Sequence, residues 1–227
     1  MRQIAHPWIK RKYSMDECEF PEELKQHKSS KKYKRVVLLS LSSCYDGEHP
    51  YFYDIIPNGV IPGALVEAIA DTKDDIFWLL RLHPSQLTGR RYKRHRDLID
   101  SIVKKHSNTE SKISSRVGLG EILSGCTGHI TMLSMTSYEA AFAGVPSLLM
   151  CPTLGPGRIY EHMFSDLRKE GYAELRVNPR AEHILNWAKK SKKIKKKIYG
   201  EGGCNNLELI QWMIDEKLHY KRDGYRN

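Results

Sequence analysis

Apolar residues in this chain fall into two patterns. Residues 35–41 (RVVLLSL), 75–82 (DIFWLLRL), 129–133 and 146–150 are short, nearly unbroken apolar runs. A run without alternation has no solvent-facing side, which is how a strand covered on both faces of a parallel sheet reads. Between these runs apolar positions recur every three or four residues. That spacing predicts helices over 63–71, the second half of 89–105, 120–125, 138–142, 159–170 and 181–190. A last strand is expected over 172–177 and a final amphipathic helix over 205–219. Residues 107–115 read as a polar loop. Residues 45–62 read as a long Gly/Pro-rich loop, a type that often carries function. Four to six strands alternating with helices predict an α/β fold with a Rossmann-like parallel sheet flanked by helices. Three regions result: a charged lead-in over 1–34 with one short helix near 21–26, the α/β domain over 35–190, and a lysine tract with a C-terminal helix over 191–227.

The chain is organised around residues 128–150, GHITMLSMTSYEAAFAGVPSLLM. They read as strand, turn, short helix and strand, with Gly144 as a left-handed helix stop. Ligands of open α/β sheets sit outside the carboxyl ends of the strands. Hydroxyls and amides there suit an anion. Ser134, Thr136 and Ser137 are therefore expected to meet the phosphate of a nucleotide. The same residues carry a second reading, because Thr136 and Glu139 have the spacing of a capping box that needs no ligand. A second candidate is His83, either an ordinary surface or packed histidine or a residue on the ligand side of the sheet. The residue before a proline is pushed out of the helical region, so His83 and Pro84 mark an extended turn at the end of the second strand. Ser42 and Ser43 end the first strand, either as a plain serine turn or as a border of the same cleft. Arg90, Arg91, Lys93, Arg94 and Arg96 form a basic stretch, either a solvated helix face or a contact for an acidic acceptor. Arg158 is either a surface residue or a phosphate screen.

The string Ser-x-Thr-Ser-x-Glu-Ala-x-x-x-Gly-Val-Pro, from Ser134 to Pro146, resembles the donor-nucleotide motif of GT-B glycosyltransferases and of non-hydrolysing sugar-nucleotide 2-epimerases. Arg81-Leu82-His83-Pro84 resembles the strand-end His-Pro element of bacterial sialyltransferases and capsule-type Kdo transferases. Together the two cover roughly residues 35–175. The resemblance implies the C-terminal, donor-binding half of a GT-B glycosyltransferase of surface-polysaccharide synthesis. It implies phosphate contacts at Ser134, Thr136 and Ser137, a ribose contact at Glu139, and backbone contacts to the base at Val117 and Gly118. His83, with Arg81 and Pro84 beside it, would stabilise the departing nucleotide. The donor is CMP- or UDP-linked and the acceptor a glycan or lipid-linked sugar. No Asp-x-Asp string is present, so the expected mechanism is metal-independent and no cofactor is expected. The alternatives are a 2-epimerase-like enzyme and a non-catalytic nucleotide- or partner-binding module. A separate N-terminal half-domain is an expected partner.

Composition narrows the rest. Of 227 residues, 40% are apolar, enough for a substantial core, and no run is long enough to span a bilayer. The N-terminus lacks an apolar signal core. The five scattered cysteines fit reduced thiols better than a zinc site. A cytoplasmic location follows as the expectation. Net charge is +10, but residues 189–197 hold seven lysines, leaving +3 elsewhere. That tract is either solvated surface or a contact with anionic lipid at a membrane. Without interleaved aromatic residues it is not expected to bind nucleic acid.

Overall fold

The computed structural model describes residues 18–42, 55–56 and 58–195. Ser43, most of the 45–62 loop and the 205–219 helix lie outside the described residues. Within them six strands form one parallel sheet in the order β3-β2-β1-β4-β5-β6. The strands are β1 Arg35–Ser40, β2 Ile76–Arg81, β3 Thr109–Glu110, β4 Gly128–Thr131, β5 Ser147–Leu149 and β6 Ala173–Leu175. The helices are α1 Glu22–Ser30, α2 Gly63–Ala70, α3 Pro84–Thr88, α4 Lys93–Lys105, α5 Lys112–Arg116, α6 Leu119–Gly125, α7 Thr136–Phe142, α8 Ser165–Lys169 and α9 Ala181–Lys190.

The uninterrupted apolar runs are explained by two cores. Val37, Leu39, Trp78 and Leu80 point to one side of the sheet and pack with Leu65 and Ile69 of α2, Ile99 of α4 and Ile184 of α9. Their neighbours Val36, Leu38, Phe77 and Leu79 point to the other side, against Leu24 of α1, Ile122 of α6 and Ala140 of α7. Successive side chains of a strand point to opposite faces, so a strand sandwiched between helix layers has no polar side. The lead-in helix is longer than expected and contributes to this core through Leu24. Cys126 and Cys151 are buried, and burial pushes the Cys126 thiol up to about 12.

Three expectations need correction. The polar segment 107–115 is not a loop: it contains β3 and enters α5. Its polar side chains bond inward. Asn108 Nδ2 donates to the carbonyls of Ile69 and Thr72, and the Glu110 carboxylate accepts from the amides of Ile113 and Ser114. The helix expected over 159–170 is confined to α8. Phe164 takes a left-handed φ of 59° and is buried against Tyr138, while Ile159 is 81% exposed. Packing of one ring interrupts the helical pattern there. Third, no capping box forms at α7. The helix begins at Thr136 after Met135, with no side-chain cap.

Candidate functional site

Because every strand pair is parallel, all strand ends lie on one carboxyl rim. Ser40 of β1 pairs level with Arg81 of β2 on one side and Thr131 of β4 on the other. The chain leaves β1 toward β2 and leaves β4 toward β5, so the β1–β4 pair is the point where strand order reverses. A crevice for a ligand opens at such a point. His83 follows β2 and the hydroxyl turn at 134–136 follows β4, with only β1 between them. At strand spacings near 4.8 Å the two turns leave the rim about 10 Å apart.

The His83 turn is built by its own side chains. The Ser85 amide donates to His83 Nδ1 at 3.2 Å, and the His83 amide donates to Gln86 Oε1 at 2.8 Å. His83 is thus the N-cap of α3, with Pro84 at its first position, where a proline lacks no needed donor. An Nδ1 that accepts leaves the proton on Nε2, and the residue is exposed. Gln86, fully buried, also places Nε2 3.4 Å from the carbonyl of Ser42 and 3.0 Å from His95 Nδ1. The β1 and β2 loop tips are joined through this amide. Arg81 turns elsewhere. Its Nη1 donates to the carbonyls of Ser114 and, at 2.8 Å, of Val117. It ties the α5–α6 junction, with Gly118 exposed beside it, to the end of β2.

At the β4 turn, the Thr136 amide and hydroxyl both reach Ser134 Oγ, at 3.3 and 3.0 Å. The Ser137 amide donates to the Ser134 carbonyl at 3.1 Å. Ser137 itself is fully buried, and its Oγ has no partner among the described residues. Glu139 is half-buried, one turn along α7 from Thr136. The structure therefore brings His83, Pro84, Ser42, Ser134 and Thr136 to one stretch of rim, with Gly118 held near it through Arg81. A cavity of about 270 Å³ is lined by Gly63 and Glu67 of α2, which follows β1, by Met150 just after β5 and by Asn178 after β6.

No protein-family model matches the chain, and no curated protein matches it in sequence. Solved structures do. S. aureus MnaA with UDP superposes with a TM-score of 0.58 at 12% identity, over 91% of this chain and 51% of that one. The UDP-GlcNAc 2-epimerase of Methanocaldococcus jannaschii gives 0.51 at 13%, over 84% and 49%. Its complex with UDP-GlcNAc and UDP gives 0.52 at 14%, over 87% and 50%. The likeness is one of fold. It supports a GT-B-type, Rossmann-like half, and the chain spans about half the length of these proteins.

Two site-forming residues were not legible as such. His129 reads as one more member of an apolar run, yet it is fully buried and hydrogen-bonded across three strands. Burial lowers its pKa from 6.5 to about 3, so the ring is neutral. Gln86 had a signal: it stands three residues after His83, the spacing of a capping box with histidine in the serine position. The basic stretch divides. Arg96 Nη1 donates to the carbonyls of Gln86 and Gly89, while Arg90, Lys93 and Arg94 are exposed. Arg158 is exposed as well.

The lysine tract starts at the opposite rim. Ile194 donates its amide to Gly144, just before β5, at 2.7 Å. Lys193 Nζ donates to the Ser124 carbonyl, near the start of β4, at 2.6 Å. Gly144 sits at φ 70°, and a Cβ there would lie 2.6 Å from the Ile194 carbonyl, so glycine is required twice over. Among the described residues no helix is long and apolar enough to cross a membrane.

Proposed function

We propose that this chain binds the nucleotide of a nucleotide sugar on its carboxyl rim, as the donor half of a glycosyltransferase. One observation carries the reading: the His83 turn and the hydroxyl turn emerge on the same rim, flanking the strand-order reversal. The Ser134 hydroxyl, which accepts from Thr136, would meet the phosphate, with Ser137 buried beneath them. Glu139 would meet the ribose, and the backbone at Gly118 the base. His83 Nε2–H would stabilise charge on the departing nucleotide as an acceptor hydroxyl attacks the anomeric carbon. The acceptor would be a glycan or lipid-linked sugar, with a first half-domain supplied separately. The lysine tract would hold the amino rim against anionic lipid.

A second reading is a 2-epimerase of the same fold, favoured by the M. jannaschii enzyme among the structural matches. Incubation with a panel of UDP- and CMP-sugars and acceptors, followed by product analysis, separates the two. Sugar transfer supports the first reading, and an epimerised donor supports the second. Nucleotide binding without turnover points to a binding module. Absence of any nucleotide binding refutes both enzyme readings and leaves only a partner-binding module.

A further inference from the structure

The hydroxyl turn is held from behind by a buried side chain. His129 on β4 has its Nδ1 2.8 Å from Ser147 Oγ on β5. Its Nε2 lies 3.0 Å from Ser40 Oγ on β1 and 3.3 Å from Thr136 Oγ1. The neutral ring has one N–H and one lone pair. Counting protons along the network decides which nitrogen holds the hydrogen. A serine or threonine hydroxyl donates once and accepts twice. The Thr136 hydroxyl donates to Ser134 Oγ, so toward the histidine it can only accept. All three contacts of the ring are satisfied together when it donates from Nε2, shared between Thr136 and Ser40, and accepts at Nδ1 from the Ser147 hydroxyl. Ser134 Oγ accepts from both the amide and the hydroxyl of Thr136. Both its lone pairs are filled, and only its own O–H remains to be offered.

We propose that His129 is a positioning residue, held as the Nε2–H tautomer, that fixes the hydroxyl turn so that Ser134 presents a proton to an anionic group. In the other tautomer, Nε2 would offer one lone pair to two hydroxyls. Thr136 would turn its proton back to the ring, and a Ser134 lone pair would face outward. The buried tautomer thus sets whether the turn attracts or repels an anion. The anion is a phosphate of the bound nucleotide, so the proposal rests on the functional reading above and adds a residue outside the motif.

The test combines a long-range proton–nitrogen NMR correlation on the full chain, which reads the His129 tautomer directly, with calorimetric titration of UDP and CMP. The expected signature is Nε2–H. His129→Phe is expected to bind nucleotide about tenfold more weakly, the effect of one hydrogen bond to a charged group. His129→Gln, whose amide can still donate, is expected to stay within about threefold of the parent. The His129→Phe, Thr136→Val double variant is expected to be no weaker than Thr136→Val alone, because the histidine acts through Thr136. An Nδ1–H signature overturns the proposal whether or not nucleotide binds, and it needs no variant to fold. Additive losses in the double variant overturn it as well, by giving His129 an effect independent of Thr136. Parent protein with the Nε2–H signature that binds neither nucleotide overturns the functional reading and the anion-orienting role together, a failure distinct from the wrong tautomer.

Discussion

The two turns on the carboxyl rim are built in opposite ways. The β2 turn is capped by its own residues, His83, Ser85 and Gln86 bonding one another within four residues, with the Gln86 amide also reaching Ser42 and His95. The β4 turn is held from beneath, by a histidine that bonds across β1, β4 and β5. Sequence spacing allowed a capping box at Thr136 and Glu139 beside the phosphate reading. The structure puts it at His83 and Gln86 instead. The lesson is that a cap forms where its side chains have no better partner. Thr136 has one in Ser134 and another in His129, and its hydroxyl is turned toward them.

The largest effects should separate a turn supported by the core from one supported locally. His129→Ala is expected to lower stability by about 2–4 kcal/mol, because it opens a buried cavity and strips Ser40 and Ser147 of a partner. His83→Ala is expected to cost about 1 kcal/mol, the value of a lost cap. Urea unfolding of both variants would break the comparison if the two losses were equal.

Next comes acidity. The folded pKa of His129, about 3, lies below its unfolded value of 6.5. Between these values the unfolded chain binds the proton and the folded chain does not. Stability is therefore present above pH 6.5 and falls as pH drops through that window. The expected slope approaches about 1.4 kcal/mol per pH unit. His129→Gln is expected to remove this component, read as the difference between parent and variant in calorimetric melts from pH 7 to 4. Parallel curves would contradict it.

Two smaller effects sharpen the contrast in function. Ser134→Ala is expected to weaken UDP or CMP binding about tenfold while leaving stability within about 1 kcal/mol. His83→Asn keeps a good cap but removes the Nε2 proton, so it is expected to preserve stability and still weaken binding. A loss of stability without a loss of affinity would make the His83 turn purely architectural. Smallest of all, replacing Lys189, Lys190, Lys192 and Lys195 with Gln is expected to change nucleotide affinity less than about twofold. These residues approach the opposite rim, about 13 Å away along β4, beyond a Debye length at physiological salt. The same variant is expected to lose co-sedimentation with anionic liposomes, and retained co-sedimentation would reject the lipid contact.

The sheet was legible in the sequence because burial on both faces leaves unbroken apolar runs at 35–41 and 75–82. The rim positions of His83 and Ser134 followed from where the runs at 75–82 and 129–133 stop. What stayed hidden was polar burial. Asn108, Glu110 and Gln86 look like loop residues, yet each satisfies backbone groups inside the fold. His129 sits among apolar neighbours, and nothing local marks it as bonded across three strands. Long-range hydrogen bonds have no period along the chain, so pattern reading does not find them.

The central claim is that the carboxyl rim around β1 and β4 receives a nucleotide phosphate. Titrating UDP and CMP into isotope-labelled protein and following backbone amide shifts tests it most directly. The account predicts saturable shifts at His83, Ser134, Thr136 and Glu139, with the amides of Ser124, Gly144 and Ile194 on the other rim unmoved. Shifts confined to that other rim, or none that saturate, would contradict it.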